Sequence, residues 1–407
     1  MTAGAGVMSE FSNSPDQLDT LLVRGGLARS NFGETSEAIF MTSGFVYESA
    51  AQAEARFTGD DPGYVYSRYR NPTLEGFEQR MRLLEGAEAC HGTASGMAAV
   101  FAALAASVSA GDHIIAGRAL FGSCHVILTQ LLPKWGVTAT LVDGADLKAW
   151  EAAIQPNTKV FFMETPANPT LSLIDIKAVA DLAHSVGASL VIDNVFATPL
   201  LQKPLELGAD IVTYSATKHI DGQGRCLGGA VLGSAAFCTD KLQPFLRHTG
   251  PALSPFNAWL LVKGLETLSL RVERSCDSAA ALADQLYGDK AVAQVLYPHH
   301  TSHPQYDLGK RQMTRGGTLL AIELKGGRKA AWAFMDALET VDISNNLGDS
   351  RSLITHPMTT THRAMPEDDR TAMGITEGLV RLSVGLESLK DLHDDIARGL
   401  AAAAVHA

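Results

Sequence analysis

The stretch Ala209-Asp210-Ile211-Val212-Thr213-Tyr214-Ser215-Ala216-Thr217-Lys218 decides how the rest of the sequence is read. Ile211 and Val212 stand between a glycine and a hydroxyl-rich turn, which is the composition of a short buried strand in a parallel sheet. Lys218 then falls just past the strand's carboxyl end, where open α/β sheets gather ligands. A lysine desolvated there, with positive charge nearby, has a lowered pKa and offers the neutral amine that a Schiff base requires. Ser215 and Thr217 add hydroxyls suited to a phosphate. A solvated loop lysine would carry the same letters, so the flanking sequence has to decide between the two readings.

Apolar or β-branched runs at His113–Ala116, Val137–Val142, Lys159–Met163, Ser189–Ile192, Ile211–Tyr214 and Gly229–Leu232 are separated mostly by helical stretches. This alternation predicts a doubly wound parallel sheet with ligands at the carboxyl ends of its strands. Three of those ends carry candidate chemistry: Glu164-Thr-Pro-Ala-Asn168-Pro, Asp193-Asn-Val-Phe-Ala-Thr-Pro and the Lys218 turn. A carboxylate ending an apolar strand, as Asp193 does, is costly unless it meets a positive partner such as a protonated pyridine nitrogen. The plainer reading is a helix-capping aspartate. Asn168 suits a phenolic oxygen, or simply turns the chain before Pro169. Ser95-Gly96-Met97 opens an alanine-rich helix expected to run to about Ser107, whose free N–H groups and dipole favour an anion. Thr93 and Met97 stand where a serine-hydrolase elbow needs glycine. Gly222-Gln-Gly-Arg-Cys-Leu-Gly-Gly leads into a strand, whereas a dinucleotide fingerprint leads into a helix.

Residues 1–62 form an arm. Ser14-Pro15-Asp16-Gln17 has the grammar of a helix start, for a short helix reaching Gly25-Gly26. Glu37–Tyr47 reads as extended and 48–57 as helical up to Gly59. The arm has little apolar mass and is expected to pack on another domain or subunit. Gly63-Tyr-Val-Tyr66-Ser-Arg68-Tyr-Arg-Asn71-Pro72 is rich in tyrosine hydroxyls and arginine forks, which suit an anion or a plain interface. Asn71-Pro72 opens a helix whose apolar face is Leu74, Phe77, Met81 and Leu84, ending at Gly86. The large domain is expected over residues 63–260. A long helical stretch from Ser254-Pro255 toward Gly288 leads into a smaller α+β domain, 261–407, with strands at 318–324, 343–346, 352–357 and 379–384. In the last of these, Val380, Leu382 and Val384 share one face and Arg381 with Ser383 the other, where Arg381 would suit a substrate carboxylate. His299, His300 and His303 sit in a loop between Pro298 and Pro304 with no carboxylate or cysteine cluster, so no metal site is expected.

Composition narrows the partners. Lys and Arg number 33 against 44 Asp and Glu, and the net charge of −11 argues against a nucleic-acid backbone. Five cysteines without a C-x-x-C pair fit reduced thiols. No apolar run approaches bilayer length, and the first residues lack the basic and apolar regions of a secretory signal. We expect a cytoplasmic protein with neither membrane nor nucleic-acid partners.

Tyr66-Ser-Arg68-x-x-Asn-Pro-Thr, Ser95-Gly-Met97, Glu164-Thr-Pro-x-Asn-Pro, Asp193-Asn-x-Phe-Ala-Thr-Pro, Ser215-Ala-Thr-Lys218 and Val380-Arg-Leu-Ser-Val-Gly-Leu-Glu387 follow one another across nearly the whole chain. Together they resemble the Cys/Met-metabolism family of pyridoxal 5'-phosphate (PLP) enzymes, and the joint match outweighs the plain reading of each piece. The resemblance implies PLP fold type I, aspartate aminotransferase-like, with a mostly parallel doubly wound sheet and a smaller C-terminal α+β domain. It implies that Lys218 carries PLP as a Schiff base, that Asp193 holds the pyridine nitrogen, and that Ser95, Gly96, Met97, Ser215 and Thr217 bind the phosphate. Tyr66 and Arg68 would reach the phosphate of a neighbouring subunit, in dimers doubled into a homotetramer. Asn168 would contact the phenolic oxygen and Arg381 the substrate carboxylate.

Two departures separate branches of the family. Leu120-Phe121-Gly122 replaces the usual Leu-Tyr-Gly, so Phe121 stacks on the ring without a hydroxyl to move protons, and Asn346-Leu-Gly replaces Ser-Leu-Gly. With Ser344-Asn-Asn-Leu-Gly-Asp349, Ile354-Thr-His-Pro-Met-Thr-Thr-Thr-His362 and Asp221-Gly-Gln-Gly-Arg-Cys226, these features resemble the sulfhydrylases, nearest to those acting on O-succinylhomoserine. The implied reaction is γ-replacement: O-succinylhomoserine and sulfide give homocysteine and succinate. Asn346 would stand beside the substrate, and Arg225 or Arg351 would hold the distal succinyl carboxylate. Cystathionine γ-synthase, O-acetylhomoserine sulfhydrylase and methionine γ-lyase remain alternatives within the family, and a non-catalytic PLP-fold binding protein outside its chemistry.

Overall fold

Seven strands form the larger sheet: β1 (Ala89–Thr93), β2 (His113–Gly117), β3 (Thr138–Val142), β4 (Thr158–Glu164), β5 (Ser189–Asp193), β6 (Ile211–Ser215) and β7 (Gly229–Gly233). They belong to a computed structural model that describes residues 18–407, so the expected helix start at Ser14–Gln17 lies outside the described residues. The order is β1-β7-β6-β5-β4-β2-β3, and β7 runs against both its neighbours while β2 to β6 pair in parallel. The expected parallel sheet is therefore mixed at this edge. Alternation buries both faces. Phe161, Met163, Leu190 and Ile192 point into one hydrophobic cluster, and Val160, Phe162 and Val191 into another.

Asn71 caps the helix Pro72–Glu85 by accepting the Thr73 N–H, and Leu74, Phe77, Met81 and Leu84 are buried on its inner face. Arg80, on the same helix, is 1 % exposed; it donates to Gly25 O and Val262 O and pairs with Glu37, tying the arm to the helices. A buried guanidinium needs that many acceptors. The segment from Ser254 to Gly288, expected as one long helix, breaks at Glu266-Thr267 into Pro255–Leu265 and Leu268–Leu286. The break lets Gly264 pack against the turn that carries Lys218; a Cβ at Gly264 would collide with Ile220 O.

The smaller sheet has strands β8 (Val292–Leu296), β9 (Leu319–Leu324), β10 (Asp342–Ile343), β11 (Leu353–Thr355) and β12 (Leu379–Ser383), in the order β10-β11-β12-β9-β8. Val380, Leu382 and Val384 face a core shared with helices Gly327–Asp336 and Leu389–Ala403, and Arg381 points the other way. The strand expected at 343–346 ends at Ile343, because the carbonyls of Asn345 and Asn346 turn to Arg381 instead of extending the ladder.

Candidate functional site at the strand ends

Because β4, β5 and β6 are neighbours, their carboxyl ends bring Glu164, Asp193 and Ser215 to one rim, with Lys218 in the turn after Ser215. That turn is closed by Lys218 N donating to Ser215 O at 3.2 Å and Gly222 N to Lys218 O at 2.8 Å. Burial of the amine, together with the charge of Arg381, brings the Lys218 pKa down to about 8. Its Nζ donates to Asn346 Oδ1 at 2.6 Å, a contact from the smaller domain. From behind, Arg271 donates to His219 O and to Gly264 O, each at 2.7 Å, tying the carbonyl that follows the lysine to the end of the helix Pro255–Leu265. Sequence reading missed Arg271, since nothing local in Leu268-Ser-Leu-Arg271-Val marks an arginine that works through a distant turn.

Asp193 is 9 % exposed, and its Oδ1 accepts the Val195 N–H at 3.1 Å. Burial pushes this carboxyl up, and burial plus Asp193 does the same to Glu164 across the register. Two buried carboxyl groups at one rim call for a cation, which a protonated ring nitrogen would supply. Opposite them, Ser95 Oγ accepts the Ala98 N–H and caps the helix Gly96–Ala105. The Gly96 and Met97 N–H groups, in its first turn, have no intrahelical partner. A Cβ on Gly96 would come within 2.7 Å of Ser215 Oγ, so glycine keeps this cradle open. Thr217 Oγ1 donates to Gly228 O at 3.3 Å and accepts the Gly228 N–H at 3.2 Å.

Arg381 is 1 % exposed; Nη1 donates to Asn168 Oδ1 at 2.7 Å and Nη2 to Asn345 O at 3.0 Å. Its Nε is buried with no partner among the described residues, the kind of unmet donor that a carboxylate completes. Phe121, half-buried, donates its N–H to Glu164 Oε2 at 2.9 Å. Tyr66 and Arg68 do not join this rim. The Arg68 guanidinium lies 5.4 Å from the Tyr66 ring, bonds Arg247 O, and lines a cavity of about 410 Å³ with Arg56, Arg247 and His91. Arg225 is held by buried Asp221 at 2.9 Å, and Arg351 extends into solvent with its Nε 4.0 Å from Asp349. No helix among the described residues is long and apolar enough to cross a membrane.

A lysine of lowered pKa, a buried aspartate on the neighbouring strand end and an open helix N-terminus, set between a larger and a smaller α/β unit, make up a PLP-dependent enzyme of fold type I. The sequence model of the Cys/Met metabolism PLP-dependent enzymes matches residues 19–401, and the chain belongs to that family. It is 55 % identical over 385 residues to an O-succinylhomoserine sulfhydrylase of Mycobacterium tuberculosis, covering 94 % of this chain and 95 % of that one. The enzyme of the same name from Pseudomonas aeruginosa is 49 % identical over 384 residues, again covering 94 % of this chain and 95 % of that one. Among solved structures, a putative O-acetylhomoserine (thiol)-lyase from Campylobacter jejuni, holding a pyridoxyl-lysine monophosphate, superposes with a TM-score of 0.91 at 31 % identity, covering 94 % of this chain and 99 % of that chain.

Proposed function

We propose that the protein catalyses γ-replacement on O-succinylhomoserine, with sulfide as nucleophile and homocysteine and succinate as products, in methionine biosynthesis by direct sulfhydrylation. The observation that carries this reading is the end-to-end likeness to O-succinylhomoserine sulfhydrylases at about half identity. Bound PLP supplies an electron sink for the charge that develops on the substrate carbons. Around it, Asp193 would keep the ring nitrogen protonated, Asn168 would contact the phenolic oxygen and Phe121 would cover the ring face. Ser95, Gly96, Met97, Ser215 and Thr217 would hold the phosphate.

Lys218, whose free amine has a pKa near 8, would be the base for the protons at Cα and Cβ, and Asn346, which accepts from its Nζ, would help to hold it in place. With phenylalanine at 121 there is no tyrosine hydroxyl to share that task. Arg381 would meet the substrate's α-carboxylate with its free Nε–H. For the distal succinyl carboxylate, Arg351 has the freer guanidinium, whereas Arg225 would first have to leave Asp221. Tyr66 and Arg68 would complete the phosphate site of a second copy, in dimers paired into a tetramer, and the protein would work in the cytoplasm.

The test is steady-state turnover of the purified holoenzyme with O-succinylhomoserine or O-acetylhomoserine, each offered sulfide or cysteine. Homocysteine formed chiefly from the succinyl ester and sulfide is the expected result. Cystathionine from cysteine, or 2-oxobutanoate without a nucleophile, would overturn the reaction assignment while leaving fold and cofactor in place.

A further inference from the structure

Glu164 sits at the rim, yet the chemistry above does not use it. It is 4 % exposed and ends β4 in register with Asp193, so two carboxyl groups lie side by side in apolar surroundings. Such a placement is unfavourable without specific compensation. The compensation here divides between its two oxygens: Oε2 accepts the Phe121 N–H at 2.9 Å and Oε1 accepts the Asn168 N–H at 3.0 Å. Phe121 follows the loop after β2, and Asn168 belongs to the turn after β4, so one carboxylate joins the segments that leave two neighbouring strands. Arg381, bonded to Asn168 Oδ1, brings a cation to the same group.

We propose that Glu164 is a positioning residue that clamps the backbones of Phe121 and Asn168, so that the one side chain covers the cofactor ring and the other stands beside it. The proposal rests on the PLP reading. Only a side chain of this length with an acceptor at each oxygen satisfies both N–H groups. Glutamine has the same shape but sets an NH₂ against one of them. Aspartate keeps the charge but is one methylene short.

Apoprotein of the wild type, Glu164→Gln and Glu164→Asp would be titrated with PLP, reading the dissociation constant from tryptophan fluorescence and the visible circular dichroism at saturation. The thermal midpoint of each apoprotein gives the baseline for a merely structural effect. Both variants should bind PLP about ten- to a hundred-fold more weakly and lose most of the visible ellipticity, with midpoints within about 4 °C of the wild type. Unchanged affinity and ellipticity in Glu164→Gln would overturn the proposal, and so would full recovery in Glu164→Asp, since charge alone would then suffice. If Glu164→Gln fails to fold, Glu164→Asp decides by the same two readings. A wild type that stays colourless with PLP overturns the cofactor reading itself, and this proposal with it.

Discussion

At the strand-end rim the charged groups are buried and each finds at least one hydrogen-bond partner within the chain, whereas along the N-terminal arm it is apolar groups that stand in water. Lys218, Asp193, Glu164 and Arg381 all find hydrogen-bond partners among nearby strands and turns. On the arm, Phe32 and Val46 are 96 % and 99 % exposed, and in the loop just after it Arg68 turns its fork to a backbone carbonyl. Exposed apolar surface of this kind marks a contact with something else. A single chain therefore brings the rim's charged residues together unaided, and the proposed second copy is what the exposed arm and the neighbouring tyrosine–arginine loop would meet.

The largest effect that tests the rim is the state of its lysine. With a pKa near 8, roughly a tenth of the Lys218 amine is neutral at pH 7, about 300-fold more than for an unperturbed lysine. Because the value is lowered, the neutral, nucleophilic form accumulates as pH rises through 8. Stopped-flow capture of PLP by apoprotein should accelerate with pH and level off above that point; a rate still climbing toward pH 10 would mean the amine is solvated after all.

A mixing experiment addresses the loop that follows the arm. Lys218→Ala and the double variant Tyr66→Phe/Arg68→Ala should each be nearly inactive. Unfolded and refolded together in equal amounts, they should regain about a quarter of wild-type activity, since half of the dimers are mixed and each carries one intact site. No recovery would place Tyr66 and Arg68 outside the partner's site and dissolve the contrast drawn above.

The smallest effect on turnover concerns the support behind the rim. Arg271→Met removes donors from the carbonyls of His219, Ile220 and Gly264, and should lower apoprotein stability by about 2–4 kcal/mol in urea unfolding while changing kcat less than about threefold. Unaltered stability would show that the helix break at Glu266-Thr267 is held by packing alone.

What could be read from the sequence follows a physical divide. β2 and β4 to β7 were legible because each is a short, largely buried apolar run, and the partly exposed edge strand β3 because its residues are β-branched or apolar. β1, Ala89-Cys-His-Gly-Thr93, was not, because it is an edge strand whose residues have little β preference and whose partner, β7, lies far along the chain. Val292-Ala-Gln-Val-Leu296 escaped notice for a related reason, since it pairs only with β9 at the edge of the small sheet. Site residues at strand ends announced themselves, Lys218 and Asp193 above all, because a charge after an apolar run is locally improbable. Glu164 was visible as a letter in a motif, but its two backbone partners were not, and Arg271 acts wholly through residues distant in sequence.

The hydrogen bond from Lys218 to Asn346 crosses from one sheet's domain to the other's, as does that from Arg381 to Asn168. Whatever prises the smaller domain away, whether pressure, denaturant or an engineered tether, slackens the lysine before it unravels a strand. The colour of the bound cofactor, beside which Asn168 and Arg381 would stand from the two sides, then becomes a strain gauge, reporting mechanical load on a joint that no dye has been attached to.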